Sequence, residues 1–177
     1  MTYVQHVGCT FYHYPTKFFK MDPISQVFKN IWLADDDVDD CEFFEDALKQ
    51  LLPNTALTII PNGEILINTL TPATKPDILF LDINMPCKNG MDCLVEIRAQ
   101  RHFCRLPVVI FTSTKASRFI HTSYGYGANL FYSKPTSFQE LIAGLTNLFK
   151  MDWNDPFTIT SNHYVNNMFV AYNASLS

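Results

Sequence analysis

From position 30 onward the chain alternates between two kinds of segment. Five short, almost wholly apolar runs occur at 31–34, 57–60, 78–81, 107–111 and 130–133. Apolar runs of this length predict strands buried on both faces, as in a parallel sheet. Between them apolar residues recur every three or four positions, which is the spacing of one helical face. Phe43, Phe44, Ala47, Leu48, Leu51 and Leu52 predict a first helix that stops at Pro53-Asn54. Residues 64–70 predict a short second helix. Met91, Leu94, Val95 and Arg98 predict one side of a third helix over 91–100. A fourth carries Phe119, Ile120 and Tyr124 and closes at Gly125 and Gly127. Ser137-Phe138-Gln139-Glu140 has capping-box spacing, and the helix behind it is expected to bury Phe138, Leu141, Ile142, Leu145, Leu148 and Phe149. Strands alternating with helices mean right-handed βαβ units and an α/β fold.

The flanks lack this regularity. Residues 1–29 are rich in Tyr, Phe and His, follow no period, and read as an extension without a core of its own. Met21 is a second candidate start of translation. Residues 151–177 contain no Lys or Arg, are rich in Asn and aromatics, and are too short for a second domain. The expected organisation is an extension over 1–29, a domain over 30–150 and a tail over 151–177 without an effector domain.

Composition narrows the function. With 47% apolar and 17% charged residues, the chain can bury a proper core. Its net charge of −4 argues against a nucleic-acid or anionic-membrane surface. Arg98, Arg101 and Arg105 read as one solvated helix end. Cys9, Cys41, Cys87, Cys93 and Cys104 form no Cys-x-x-Cys pair and no zinc spacing with the histidines. Scattered thiols fit a reducing cytoplasm. No apolar run approaches the ~18 residues of a membrane span.

The polar residues at the strand ends carry the chemistry. Asp35 and Asp36 follow the first strand, Asp82 ends the third, Thr112 the fourth and Lys134 the fifth. In a doubly wound sheet of order 2-1-3-4-5 the first and third strands adjoin at the crevice where ligands bind, outside the carboxyl ends of the strands. Taken singly, each residue has an ordinary explanation. Asp82 would start a turn, Asp35, Asp36 or Thr112 would cap a helix, and Lys134 would be a solvated charge. Asp39 and Asp40 read as first-turn charges favoured by the helix dipole, with no site role. An EF-hand reading of Asp35-x-Asp37-x-Asp39 fails, because position six would be Asp40 instead of Gly and position twelve Asp46 instead of Glu.

As an ordered set, these residues resemble the response-regulator receiver domain of two-component signalling. The resemblance runs from about Asn30 to Lys150. It rests on Asp35-Asp36, on Leu81-Asp82-Ile83-Asn84-Met85-Pro86 with Gly90, on Thr112, and on Lys134-Pro135. The spacings also fit: Thr112 lies 30 residues after Asp82, and Lys134 lies 22 after Thr112. The acidic run 35–40 and the ending Lys134-Pro135-Thr136-Ser137-Phe138 are most similar to stand-alone receivers of the Bacteroidetes type.

The resemblance implies a flavodoxin-like, five-stranded parallel sheet. It also implies a Mg²⁺ ion held by Asp36, Asp82 and the backbone carbonyl of Asn84, with Asp35 acting through water. Crowded carboxylates raise one another's pKa, and a hard cation that favours carboxylates, phosphate and water relieves this. Asp82 would then take a phosphoryl group from a sensor histidine kinase, a histidine phosphotransfer protein or a small donor. Lys134 would neutralise the phosphoryl oxygens, and the Thr112 hydroxyl would move to meet them. The family also implies a cis Lys134–Pro135 bond, although an arbitrary X–Pro bond is cis only ~5–6% of the time.

The output side departs from the family pattern. The switch aromatic falls on Phe131, which lacks the hydroxyl of the commoner tyrosine; it is either a switch or core. Coupling is expected through the face made by helix four, strand five and helix five, to a protein partner and not to nucleic acid or membrane. The chain would catalyse only its own phosphorylation and dephosphorylation. Rival readings are a phosphorelay intermediate, a constitutive pseudo-receiver, and a haloacid-dehalogenase-like phosphatase. The last needs its nucleophile in Asp-x-Asp form at strand one, which Asp35-Asp36-Asp37 meets only trivially.

Overall fold

The structure, a computed structural model, describes residues 28–173. The expected N-terminal extension, save its last two residues, and the alternative start at Met21 therefore lie outside the described residues. The chain runs β1 (Asn30–Ala34), α1 (Val38–Leu51), β2 (Ala56–Ile60), α2 (Gly63–Thr69), β3 (Ile78–Leu81), α3 (Gly90–Ala99), β4 (Val108–Thr112), α4 (Ser117–Gly125), β5 (Leu130–Ser133) and α5 (Phe138–Phe149). Beyond these come α6 (Pro156–Asn162) and a hairpin of β6 (Tyr164–Val165) and β7 (Met168–Phe169). β1 to β5 form one parallel sheet in the order β2-β1-β3-β4-β5. This is the doubly wound, flavodoxin-like arrangement that the resemblance implies.

Both faces of the central strands are covered, so every residue of β3 and β4 is buried. Alternate residues along a strand point to opposite faces, and the core splits accordingly. Ile31, Leu33, Phe80 and Phe111 pack with Phe44 of α1 and Leu145 of α5. Trp32, Leu79, Leu81 and Ile110 pack with Leu66 of α2, Leu94 of α3 and Tyr124 of α4. On the first side, Phe44 and Phe80 meet edge to face at 4.8 Å, a geometry that adds to the area they bury.

Local expectations need four corrections. The buried side of α3 carries Met91, Cys93, Leu94 and Ile97, and Val95 is 46% exposed. The apolar stripe is centred on Leu94 and Ile97, which turns Val95 outward. Arg98 is not at a solvated helix end. Its guanidinium donates to the carbonyls of Gly127 (2.8 Å) and Phe103 (2.9 Å) and to Asn129 Oδ1 (3.0 Å), fastening α3 to the start of β5. The cap of α1 is Asp37, whose carboxylate accepts from the amides of Asp39 and Asp40, so Asp35 and Asp36 are free of that duty. No cis peptide occurs among the described residues, so Lys134–Pro135 is trans, the intrinsically favoured isomer.

The C-terminal segment packs onto the domain. Trp153, Ile159 and Tyr172 are buried in the α1–α5 side of the core. The Trp153 indole donates to the Leu148 carbonyl at 2.8 Å. In the hairpin, Asn166 and Asn167 both adopt positive φ (51° and 63°), the left-handed pair that matches the twist of a two-residue hairpin turn. Phe169 stacks on Tyr124 of α4 at 4.6 Å. Tyr172 then runs beside β5: its amide donates to the Phe131 carbonyl at 2.7 Å and its hydroxyl to the Gly144 carbonyl of α5 at 3.0 Å. The segment thus lies along the outer edge of β5 and pairs with it at one bridge, Tyr132 with Tyr172. It also lies against part of the face made by α4, β5 and α5.

Candidate functional site

The site forms where four strands end. Sheet hydrogen bonding continues one residue past each strand, and this sets the backbone of the functional residues. The Asp35 amide donates to the Ile60 carbonyl (3.0 Å), Asp82 to Ala34 (2.9 Å) and Lys134 to Thr112 (2.9 Å). Asp35 and Asp82 thus leave adjacent strands at the same height. The next turn is held equally closely. The Asp82 carboxylate accepts from the Ile83 amide at 2.7 Å, and the Gly90 amide donates back to the Ile83 carbonyl at 2.9 Å. A Cβ on Gly90 would lie 1.9 Å from the Asp82 carbonyl oxygen, so only glycine lets α3 start this close to the strand end.

Asp35 and Asp82 are buried at 1% and 6% exposure, while Asp36 is exposed beside them. One carboxylate oxygen from each of the three lies within 4.8 Å of the others. Lys134 Nζ is 2.7 Å from Asp35 Oδ2, 2.7 Å from Asp40 Oδ2 and 3.8 Å from Asp82 Oδ2. Its hydrogen bond goes to Asp40. Asp35 Oδ2 is buried and faces the same ammonium at an equal 2.7 Å. Burial pushes the Asp35 carboxyl above the usual range, partly offset by the Lys134 ammonium. Burial also works against the Lys134 charge, but the surrounding Asp35, Asp40 and Asp82 outweigh it and hold the ammonium firmly protonated.

These groups open into a cleft of about 520 Å³ walled by Asp36, Asp40, Asp82, Asn84, Ser113 and Lys134 among others. The structure therefore brings together Asp35, Asp36, Asp82 and Lys134, and sets Asn84 on the wall, where its amide nitrogen donates to Thr114 Oγ1 at 3.1 Å. Thr112 is fully buried at the end of β4. Its hydroxyl accepts from the Thr114 amide at 3.3 Å, and Ser113 lines the cleft at that point. Phe131 is fully buried away from the site; its amide donates to the Tyr124 hydroxyl, which itself donates to the Val170 carbonyl.

Asp40 is the residue that sequence reasoning passed over. It was read as a helix-end charge, yet it accepts a 2.7 Å hydrogen bond from a lysine 94 positions away. One signal was available. Asp40 lies three and four positions before Phe43 and Phe44, hence on the inward side of α1. Helical side chains lean toward the N-terminus, here toward the strand ends.

A carboxylate beside a bound ammonium, with two further carboxylates against it, suits a nucleophile that receives an anionic group. Comparison with known proteins agrees. The sequence model described as response regulator receiver domain matches residues 31–146. This chain is a member of the receiver family. Among curated relatives of this receiver, response regulator Rcp1 of Synechocystis sp. is 26% identical over 119 residues, covering 64% of this chain and 81% of that protein. The DNA-binding transcriptional regulator NtrC of Klebsiella pneumoniae is 33% identical over 112 residues, 63% of this chain but only 23% of NtrC. Among solved structures, the Mn²⁺-bound form of Rcp1 superposes with a TM-score of 0.62 at 25% identity, covering 68% of this chain and 91% of that one. The phosphorylated cyanobacterial phytochrome response regulator RcpA gives 0.61 at 25% identity, covering 70% and 89%. Among the described residues no helix is long and apolar enough to cross a membrane.

Proposed function

We propose that this receiver accepts a phosphoryl group on Asp82 from a sensor histidine kinase or a histidine phosphotransfer protein, and signals through protein contact. The observation that carries the reading is Asp82 at the end of β3, buried, with the Lys134 ammonium 3.8 Å away and open to the cleft. In the transfer, an Asp82 oxygen forms a bond to phosphorus as the bond from phosphorus to the donor atom breaks. With acetyl phosphate, acetate leaves as a carboxylate and no proton need move. Such transfers depend on positioning and on neutralising the phosphoryl oxygens, which Lys134 and the Thr112 hydroxyl would do here.

Mg²⁺ fits the residues present. Three carboxylates, those of Asp35, Asp36 and Asp82, place an oxygen each within 4.8 Å of one another, and hard oxygen donors of this kind suit the ion. Asp36, Asp82 and the Asn84 carbonyl would hold the ion, with Asp35 acting through water. When bound, it would supply positive charge to the carboxylates and the phosphoryl group. That the superposable Rcp1 binds Mn²⁺ and RcpA carries phosphate supports both points by analogy. The only chemistry proposed for the chain is its own phosphorylation and dephosphorylation. A phosphorelay role, with onward transfer from Asp82, uses the same site. Downstream contact on the α4–β5–α5 side would include the C-terminal segment lying there.

The test is the intact mass of the protein after exposure to acetyl phosphate and Mg²⁺, beside Asp82→Asn. One phosphoryl adduct is expected, absent in the variant and absent with EDTA. If neither acetyl phosphate nor a panel of histidine kinases yields an adduct, the chain is a receiver-shaped interaction module instead.

A further inference from the structure

We infer that Asp40 is a positioning residue for Lys134, holding the ammonium off Asp82 until a phosphoryl group arrives, so that it restrains phosphorylation. The inference rests on the reading of Asp82 as phosphoryl acceptor. Lys134 faces three carboxylates and divides itself unevenly among them. Its aligned hydrogen bond goes to Asp40 at 2.7 Å. Asp35 is met at the same 2.7 Å, and Asp82 is left at 3.8 Å. A lysine on a flexible stem is a point charge that can turn. In this chain it is turned toward α1.

The placement of Asp40 is built in. Asp37 caps α1 and fixes the Asp40 amide at 3.1 Å, and the first-turn side chain then leans toward the strand ends. Lys134 is fixed from the other side by its own amide on the Thr112 carbonyl. The pair therefore ties the start of α1 to the end of β5 across the mouth of the cleft, with Lys134 8% and Asp40 39% exposed. A phosphoryl group on Asp82 adds negative charge beside a lysine whose aligned bond is directed elsewhere. Drawing the ammonium across means giving up a charge-assisted hydrogen bond. Asp40 also adds its own negative charge to the wall that the donor must approach.

Beryllofluoride, which on a carboxylate oxygen is a tetrahedral mimic of a phosphoryl group, tests this at equilibrium. Its affinity for the full chain with Mg²⁺ is titrated by fluorine NMR for wild type, Asp40→Asn and Asp40→Glu, and Mg²⁺ affinity is measured alone. Asp40→Asn is expected to bind beryllofluoride about tenfold more tightly, the scale of one hydrogen bond to a charged group released to the ligand. Its Mg²⁺ affinity should stay the same or fall, because a nearby negative charge is lost. Asp40→Glu, which keeps the charge and the reach, should return toward wild type. A general loosening of the site would weaken both ligands together, so tighter beryllofluoride without tighter Mg²⁺ excludes it. Equal or weaker beryllofluoride binding by Asp40→Asn, with wild type binding normally, overturns the inference alone. A wild-type chain that takes no beryllofluoride removes the reading of Asp82 as well.

Discussion

Replacing Gly90 with alanine should damage phosphorylation without unfolding the chain. The added methyl would sit 1.9 Å from the Asp82 carbonyl oxygen and 2.9 Å from its carbon, so either the α3 start or the end of β3 must retreat by roughly 1 Å, overpacking that costs about 1–3 kcal/mol. Both retreats change the site. The Gly90 amide holds the Ile83 carbonyl, and the Ile83 amide holds the Asp82 carboxylate, so the acceptor moves with the turn. A displacement of roughly 1 Å in a reacting group costs on the order of 10²-fold in rate. The assay is a time course of intact mass with acetyl phosphate at saturating Mg²⁺, alongside thermal unfolding. Gly125→Ala is the matched control. Nothing lies within 4 Å of its added Cβ, and a helical alanine should be neutral or stabilising by ~0.5–1 kcal/mol. A Gly90→Ala protein that is phosphorylated at the wild-type rate would refute the reasoning, whatever its stability, by showing that the turn and the acceptor are not mechanically linked.

Three further outcomes follow from the geometry. Mg²⁺ at about 100 times its dissociation constant should stabilise the chain by ~2.7 kcal/mol in thermal unfolding; an undiminished gain in Asp36→Asn and Asp82→Asn would move the ion elsewhere. Trp153→Ala should cost about 3–5 kcal/mol in urea unfolding, since the indole is 2% exposed and hydrogen-bonded to Leu148; a loss below ~1 kcal/mol would mean that the C-terminal segment does not share the core. Burial pushes the Cys93 thiol from 9.0 up to about 11, partly countered by Lys88. The unfolded chain therefore releases this proton first, and the contribution of Cys93, complete below pH 9, should fade between pH 9 and 11 by roughly 3 kcal/mol. Cys93→Ala should flatten that part of the pH–stability curve; an unchanged slope would assign the alkaline loss to other groups.

The five strands and five main helices were legible because parallel strands leave short apolar runs between helical periods, although the edge strand β2 is only partly buried and Ile59 is 41% exposed. The strand-end residues were legible for the same reason: once the strands are placed, Asp35, Asp82, Thr112 and Lys134 must share one edge. The rest was hidden by physics that periodicity does not carry. The side of α3 was misplaced by one position because Val95 is as apolar as the residues that pack. Arg98 looked solvated because two of its three acceptors are the carbonyls of Gly127 and Phe103, which have no side-chain signature. The hairpin after α6 has strands of two residues, too short for alternation to register. Its Asn166-Asn167 turn was the readable mark. Asp40 was obscured by its neighbours, since a run of acidic residues makes each member look interchangeable.

The packing of Trp153, Ile159 and Tyr172 separates two boundaries that usually coincide. The match to the receiver-family model ends at residue 146, inside α5, whereas burial continues to Tyr172. The inherited unit and the cooperative unit of this chain therefore differ by about one small helix and a hairpin. Anyone exchanging this receiver for another in a chimera, or trimming it by alignment, would cut through a core and leave β5 with a bare edge. A transplantable piece must reach at least Tyr172, and variation at Trp153, Ile159 and Tyr172 should be judged by the standards of a core, not of a linker.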